Sequence, residues 1–295
     1  TGYFGAGYTN SEGVRVFDDR SFTINSNLDE VKMIELKLSQ GAKPGHGGIL
    51  PAKKNTPEIA KIRGIEKSGV TVNSPSYHTA FDDNESMLKF ITKLRDLSGG
   101  KPVGIKLCLG DSQELESLIK KMKDLDMYPD FITIDGGEGG TGSAPLVFTN
   151  HIGAPLTEAL VVVDKLLKKY KLRKEIRLIA SGKASTSFDV IRLLALGADA
   201  VNAARSFMLS LGCIQARECN KDTCPVGIAT QNKRLVKGLN VADKKVRVYN
   251  YHKNLMHEVK EVIAAMGLNT HEDLGYEHIS VRTKDGVKTY KEIIK

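Results

Sequence analysis

Apolar residues along this chain fall into two alternating patterns. The first is a set of short runs of strand length. "MIELKLS" (Met33 to Ser39) puts Ile34, Leu36 and Leu38 on one side and Glu35 and Lys37 on the other, which is the alternation of a strand. "GVTVNS" (Gly69 to Ser74), "VGIKLCL" (Val103 to Leu109), "FITID" (Phe131 to Asp135), "IRLIAS" (Ile176 to Ser181) and "DAVNAA" (Asp199 to Ala204) complete six strand candidates. The second pattern repeats every three or four positions, as on one face of a helix. Asp83 or Asn84 can cap a helix that carries Met87, Phe90, Ile91, Leu94 and Leu97 and stops at Gly99-Gly100. Further stripes are Leu115, Leu118, Ile119, Met122 and Leu125; then Leu160, Val163, Leu166 and Leu167; then Phe188, Ile191, Leu194 and Ala195.

Strands that alternate with helices imply parallel pairing and an α/β fold. Chemistry-bearing residues cluster just after the strands, at Gln40–Gly48, Ser74–His78, Gly136–Gly142, Ser181–Lys183 and Ala204–Ser206. A (β/α) barrel and an open doubly wound sheet both place ligands at those strand ends, so the spacing leaves both open. Beyond Cys224 the pattern changes. Val248, Tyr251, Leu255, Val259, Val262 and Met266 predict a long C-terminal helix packed on the main body, which divides the chain into 1–240 and 241–295.

Composition narrows the class. With 295 residues, 41% of them hydrophobic and 26% charged, the chain is an ordinary globular one, long enough for a barrel. The net charge of +8 comes from lysines mixed with acids on helical stretches, and no basic-aromatic interleaving is present, so nucleic-acid binding is not expected. There is no apolar run of membrane-spanning length and no signal-peptide pattern, and the cysteines do not form a disulfide framework, so a cytoplasmic protein is expected. The first residue is Thr1, which implies processing or a longer parent polypeptide.

Four features carry candidate chemistry. "IDGGEGGTGSAP" sets Gly136, Gly137, Gly139, Gly140 and Gly142 behind a strand, where glycines bring backbone N–H groups close to a ligand. Ser181-Gly182 and Ala204-Arg205, at two consecutive strand ends, can offer N–H groups to a phosphate. Lys106 interrupts an otherwise apolar strand; it either snorkels to a rim or faces an anionic centre, and a charge there needs a partner. Cys213, Cys219 and Cys224 form a C-x5-C-x4-C loop followed by Pro225. Zinc prefers four ligands at other spacings, whereas three thiolates on a tight loop suit an iron–sulfur cluster. Cys108, alone in an apolar stretch, reads as a small buried hydrophobe.

"KLSQGAKPGHGGILP", "DGGEGGTGSAP", "ALGAD" and "GCIQARECNKDTCPVGIATQ" together resemble the FMN-binding synthase domain of glutamate synthase, and within that family the stand-alone glutamate synthase-related proteins, over roughly residues 1 to 268. The resemblance implies a (β/α)8 TIM barrel of the FMN-dependent oxidoreductase type. Its first two βα units would lie outside this chain, on an N-terminal segment or a separate subunit. It implies FMN at the carboxyl mouth, with Lys106 at the flavin N1/O2 edge and the phosphate on Ser181-Gly182 and Ala204-Arg205. Gly136, Gly137, Gly139 and Gly140, with the Gln40–Gly48 segment, would line the flavin and substrate side. It implies a 3Fe–4S cluster on Cys213, Cys219 and Cys224. The implied reaction is delivery of hydride to the imine of 2-oxoglutarate and ammonia. Electrons would come from ferredoxin or a reductase subunit, since no nicotinamide fingerprint is present. His46 stands where the family carries Glu, and no glutaminase domain is present in the chain, so two alternatives remain. One is a related oxidoreductase acting on another 2-oxo or 2-imino acid, such as N-substituted glutamate synthesis. The other is a non-catalytic fragment that holds the cluster or a partner.

Overall fold

The computed structural model describes residues 3, 5–12, 14–140 and 144–294; Gly142 of the glycine run therefore lies outside the described residues. Five of the six apolar runs form one parallel sheet. Its strands are β1 (Ile34–Lys37), β2 (Val103–Leu107), β3 (Phe131–Asp135), β4 (Arg177–Ser181) and β5 (Ala200–Asn202). They are hydrogen-bonded in the order of the chain, β1 to β5. Helices α1 (Asn84–Leu97), α2 (Ser112–Leu125), α3 (Leu156–Lys169) and α4 (Ser187–Ala195) connect them in turn. A doubly wound sheet reverses direction at a switch point, and this one never does. Right-handed crossovers taken always in one direction put every helix on one face and curl the sheet as in a barrel. Among the described residues no strand pairs with the outer edge of β1 or β5, so the five strands form an arc.

"GVTVNS" departs from expectation. Only Val72–Asn73 is extended, and it pairs antiparallel with Ile49–Leu50, away from the central sheet. Its apolar content is small, and Val70 is left exposed while Gly69 N bonds back to Asn55 O at 2.7 Å. That segment is held in a loop rather than in the layer that needs continuous apolar residues.

In parallel strands, register partners share a face. Lys37, Lys106 and Thr133 stand side by side across β1, β2 and β3, and Asp135 stands beside Ser181 and across from Asn202 through β4. That polar set lines the concave face. The alternate residues Leu36, Ile105, Leu107, Ile132, Ile134, Leu178 and Ala180 are buried against the helices. The helices answer with Met87, Ile91 and Leu94 on α1, Leu118, Ile119 and Met122 on α2, and Leu160, Val163 and Leu167 on α3.

Each connecting helix begins at a polar cap. Asp83 accepts from Ser86 N at 2.7 Å, and Thr186 accepts from Asp189 N at 3.1 Å. For α3 the cap comes from a distance: the Glu138 carboxylate, on the glycine run, accepts from Leu156 N at 3.0 Å. On α4 burial is divided. Leu193 joins the main core, while Ile191 and Ala195 pack with Val259 and Ile263 near the C-terminus; Phe188, expected on the buried stripe, is 52% exposed and outside both. Helix α5 (Ala204–Ser210) follows β5, and α6 (Val241–Ala265) is the expected C-terminal helix. Only the second half of α6 is buried, through Leu255, Val259 and Ile263, while Val246 and Tyr249 face outward. Tyr276, beyond α6, donates to the buried Asp164 of α3 at 3.1 Å, which ties the C-terminal segment to the sheet's helical layer. No helix among the described residues is long and apolar enough to cross a membrane.

Candidate functional site

A cavity of about 440 Å3 lies where the carboxyl ends of the strands meet the cysteine loop. Lys37, Lys106, Asp135, Ser181 and Asn202 line it from the sheet; Cys213, Cys219 and Cys224 line it from the cysteine loop. Asp135 is the centre of the sheet side. It is 4% exposed and accepts from Gly41 N and Ser181 Oγ, each at 2.9 Å. The Lys106 ammonium stands 3.5 Å from its Oδ2. The charge inside strand β2 thus has the partner it needs, supplied by the adjacent strand. Gly41 has to lack a side chain for this: a Cβ there would stand 1.8 Å from Gly136 O, so only glycine lets the two backbones meet and brings Gly41 N to the carboxylate.

Lys37 sits beside Lys106 in the register of β1 and β2, and its ammonium donates to Gln40 Oε1. Burial lowers the Lys37 pKa and the neighbouring Lys106 adds to that, while Asp135 opposes it. The other end of the Gln40 amide, Nε2, is buried without a hydrogen-bond partner. An orphaned donor in a cavity also lined by the Lys37 and Lys106 ammonium groups suits a ligand that presents oxygen acceptors or negative charge.

Gly140, Ser181, Gly182, Ala204 and Arg205 also line the cavity. Arg205 Nη2 donates to Gly140 O at 3.0 Å and so ties the glycine run to the end of β5. Gly136, Gly137 and Gly139 are placed otherwise. A Cβ on Gly136 would stand 2.6 Å from Leu156 Cβ, one on Gly137 would stand 2.3 Å from Gly153 O, and one on Gly139 would stand 3.1 Å from Gly136 O. These three permit close packing of the run on its surroundings and do not line the cavity. His46 is likewise outside it, with its ring edge-on to Phe148 at 5.6 Å. His78 is buried; its Nε2 bonds Lys37 O at 2.9 Å and its ring stacks on Phe81, so it supports β1 from behind.

The loop from Gly212 to Gly227 folds back on itself through positive φ at Gln215, Arg217 and Asp222 as well as at the two glycines. At the three non-glycine positions such conformations cost about 1 kcal/mol or more each and persist where surrounding contacts hold them. Asp222 supplies several: Thr230 Oγ1 donates to its carbonyl at 2.8 Å, and Gln231 N donates to its Oδ1 at 2.7 Å. Burial pushes the Cys224 thiol up, but the backbone N–H groups of Ala229, Val226, Ile228 and Gly227 outweigh it and hold the pKa below the ordinary thiol value. A lowered thiol pKa favours the thiolate, the form that binds metals. Among the described residues, no three His, Cys, Asp or Glu side chains gather closely enough to hold a single ion. All three cysteines nevertheless line the same cavity. A cluster whose irons each take a different thiolate would not need its ligands to converge on one point. Cys108 is different: burial, with Asp135 and Glu138 nearby, pushes its thiol up to about 11, and it does not line the cavity.

The sequence singles out Lys106 and the cysteines but assigns no role to Lys37, Asp135 or Asn202. Lys37 reads as the solvent side of an alternating strand. Asp135 reads as the last residue of "FITID", and its position beside Lys106 follows from strand pairing.

The conserved region in glutamate synthase, as a family model, matches residues 8–269. The glutamate synthase large subunit-like protein YerD of Bacillus subtilis (strain 168) is 43% identical over 285 residues, covering 97% of this chain and 53% of that protein. The archaeal glutamate synthase [NADPH] of Methanocaldococcus jannaschii is 39% identical over 242 residues, covering 82% of this chain and 46% of that one. The chain thus spans about half the length of these relatives. Among solved structures, a point mutant of flavocytochrome b2 with benzoylformate superposes with a TM-score of 0.50 at 13% identity, over 95% of this chain and 52% of that one. That likeness is one of fold alone, and it agrees with the barrel-type arc of parallel strands.

Proposed function

Because the chain belongs to the family defined by the conserved region of glutamate synthase, we propose that its cavity binds FMN beside an iron–sulfur cluster held by Cys213, Cys219 and Cys224, and serves the reductive amination of 2-oxoglutarate to glutamate. One observation above all supports this reading: three cysteines and a strand-borne lysine line the same cavity at the carboxyl ends of a barrel-type sheet. Bound flavin would supply hydride to the imine carbon, and the 3Fe–4S cluster would relay electrons singly from a donor such as ferredoxin or a reductase subunit.

The chain's own residues define what they contribute. Lys106 places a fixed cation where negative charge develops on a bound ring, and Asp135 orients that cation. Gln40 Nε2 offers its unpaired N–H to a ring or substrate oxygen, held in direction by the Lys37 ammonium on its other end. Lys37 adds positive charge that favours a dicarboxylate. The strand ends at Ser181-Gly182 and Ala204-Arg205 line the cavity where a phosphate would rest. The sulfur of Cys224 sits among backbone N–H groups that lower its pKa and so favour the thiolate, the form that would ligate iron.

The test is made on protein isolated without oxygen. The flavin absorption bands, with iron and acid-labile sulfide, are expected, and dithionite-reduced protein should reoxidise on addition of 2-oxoglutarate with ammonia and yield glutamate. Protein free of both flavin and iron would refute the proposal. Reoxidation only by a different 2-oxo acid and amine would replace the substrate while keeping the chemistry.

A further inference from the structure

Lys54 reaches the cysteine loop from a part of the chain far from it in sequence. It ends the short turn Ala52–Lys54, and its ammonium donates both to the carbonyl of Cys219 and, at 2.8 Å, to the carbonyl of Ala229. Those two acceptors lie five residues before and five residues after Cys224. One cation thus closes the loop across its base, with two of the three cysteines inside or on the closure.

The base from which Lys54 reaches is itself fixed. The adjacent Asn55 is 1% exposed, and its Nδ2 donates to Lys67 O at 2.9 Å and Val70 O at 3.0 Å. Its backbone N–H bonds Pro51 O and Ala52 O. The half-buried ammonium is therefore delivered from a rigid turn and does not swing freely on a surface. The sulfur and the carbonyl of Cys219 belong to one residue, so the charge lies within about 8 Å of that sulfur, a distance over which it is only partly screened.

We propose that Lys54 is a positioning residue for the iron–sulfur ligand loop, clamping both arms of the loop and biasing the bound cluster toward its reduced state with its charge. The inference rests on the cluster reading given above. Hydrogen bonds from a charged donor are the stronger kind, and loss of this pair releases a loop that already carries left-handed residues. A one-electron reduction adds negative charge to the cluster, and a nearby ammonium stabilises that added charge.

Three variants in the full-length protein separate the two effects. Lys54→Met removes the charge and both donors, Lys54→Gln keeps a donor without the charge, and Lys54→Arg keeps both. Iron and sulfide content, the rate of iron loss to a chelator, and the cluster midpoint potential from a dithionite titration followed by paramagnetic resonance are measured for each. Lys54→Met is expected to lose iron at least about tenfold faster, the factor that corresponds to one such hydrogen bond. Lys54→Gln is expected to retain iron more nearly as the parent does but to shift the midpoint to more negative values, and Lys54→Arg to restore both. A purely structural residue would alter retention and leave the potential of the retained cluster unchanged. If the parent protein holds iron and sulfide while Lys54→Gln matches its potential, the redox role is overturned; if Lys54→Met also matches its retention, the clamp is overturned. Should Lys54→Met fail to fold, the Gln and Arg pair still decides the redox role, and Lys54→Ala, which also removes the charge and both donors, takes its place for the clamp. A parent protein without iron and sulfide would remove the cluster reading and this inference with it, an outcome distinct from parent and variants holding iron alike.

Discussion

Lys106 and Asp135 face each other from adjacent parallel strands, Nζ to Oδ2 at 3.5 Å, with the carboxylate nearly buried and also held by Gly41 N and Ser181 Oγ. The two residues make one unit: the carboxylate aims the ammonium, and the ammonium supplies the carboxylate with its counter-charge. Lys106→Met should leave flavin content close to normal and slow flavin reduction by about 100-fold, the size of effect seen when one preorganised electrostatic contact is removed. Stopped-flow reduction checks it, and an unchanged rate would assign Lys106 a structural role. Asp135→Asn should lower stability by about 2–3 kcal/mol, since it leaves a partly buried ammonium without its counter-charge. Denaturant unfolding measures that loss.

Cys224→Ser should abolish cluster retention while leaving the fold in place. The hydroxyl can still accept from the backbone N–H groups of residues 226–229 that surround the sulfur, but it is a poor ligand for iron. Iron and sulfide analysis with far-ultraviolet circular dichroism separates the two outcomes. Normal cluster content in this variant would show that Cys224 is not a ligand.

Lys37 gives a prediction with a definite sign in pH. Its folded pKa lies below the ordinary lysine value, through burial first and Lys106 second. The unfolded chain therefore binds that proton more tightly than the folded one. The charge works against folding at neutral pH, and this opposition fades as pH rises through the folded pKa toward the ordinary one. Lys37→Met should raise the melting temperature at pH 7, with the advantage shrinking toward about pH 10. The same variant should weaken binding of a dicarboxylate substrate by about tenfold, as expected for loss of one charge-assisted contact. A lower melting temperature for the variant at pH 7 would mean that the contact with Gln40 outweighs the cost of burying the charge.

Asp164 joins the C-terminal segment to the helical layer. It is 1% exposed and accepts from Lys168 Nζ at 2.6 Å, Arg173 Nε at 2.9 Å and Tyr276 OH at 3.1 Å. Asp164→Ala would leave the Arg173 guanidinium and the Tyr276 phenol short of an acceptor, for a loss of about 3 kcal/mol. The Tyr276 phenol is held far above its ordinary pKa by burial and then by Asp164, so its titration should fall toward the usual range in the variant. Ultraviolet absorbance against pH follows the phenol, and urea unfolding follows the stability.

The elements of this fold are legible in the chain because their signals are local. Alternation and short apolar runs mark β1 to β5, and stripes at the helical period mark α1 to α4, with Asp83 at the head of α1. Three cysteines on one tight loop and a lysine in an apolar strand also stand out, since both violate the composition of their surroundings. The remainder belongs to three dimensions. Whether the strands wind one way or reverse is a matter of pairing order, which leaves no periodic trace; neither does the antiparallel pairing that takes Val72–Asn73 out of the sheet. Lys37 looks like a solvent-facing residue in an alternating strand, because the concave face of a barrel and the outside of a sheet require the same polar period. Gly136 and Gly137 look like ligand contacts, yet a close approach to Leu156 and Gly153 demands glycine just as strictly. The pairing of Lys106 with Asp135, and the reach of Lys54 to the carbonyls of Cys219 and Ala229, join residues far apart in the chain. Contacts of that kind exist only once the backbone has closed around them, so local pattern carries the parts of this site and only the fold carries their meeting.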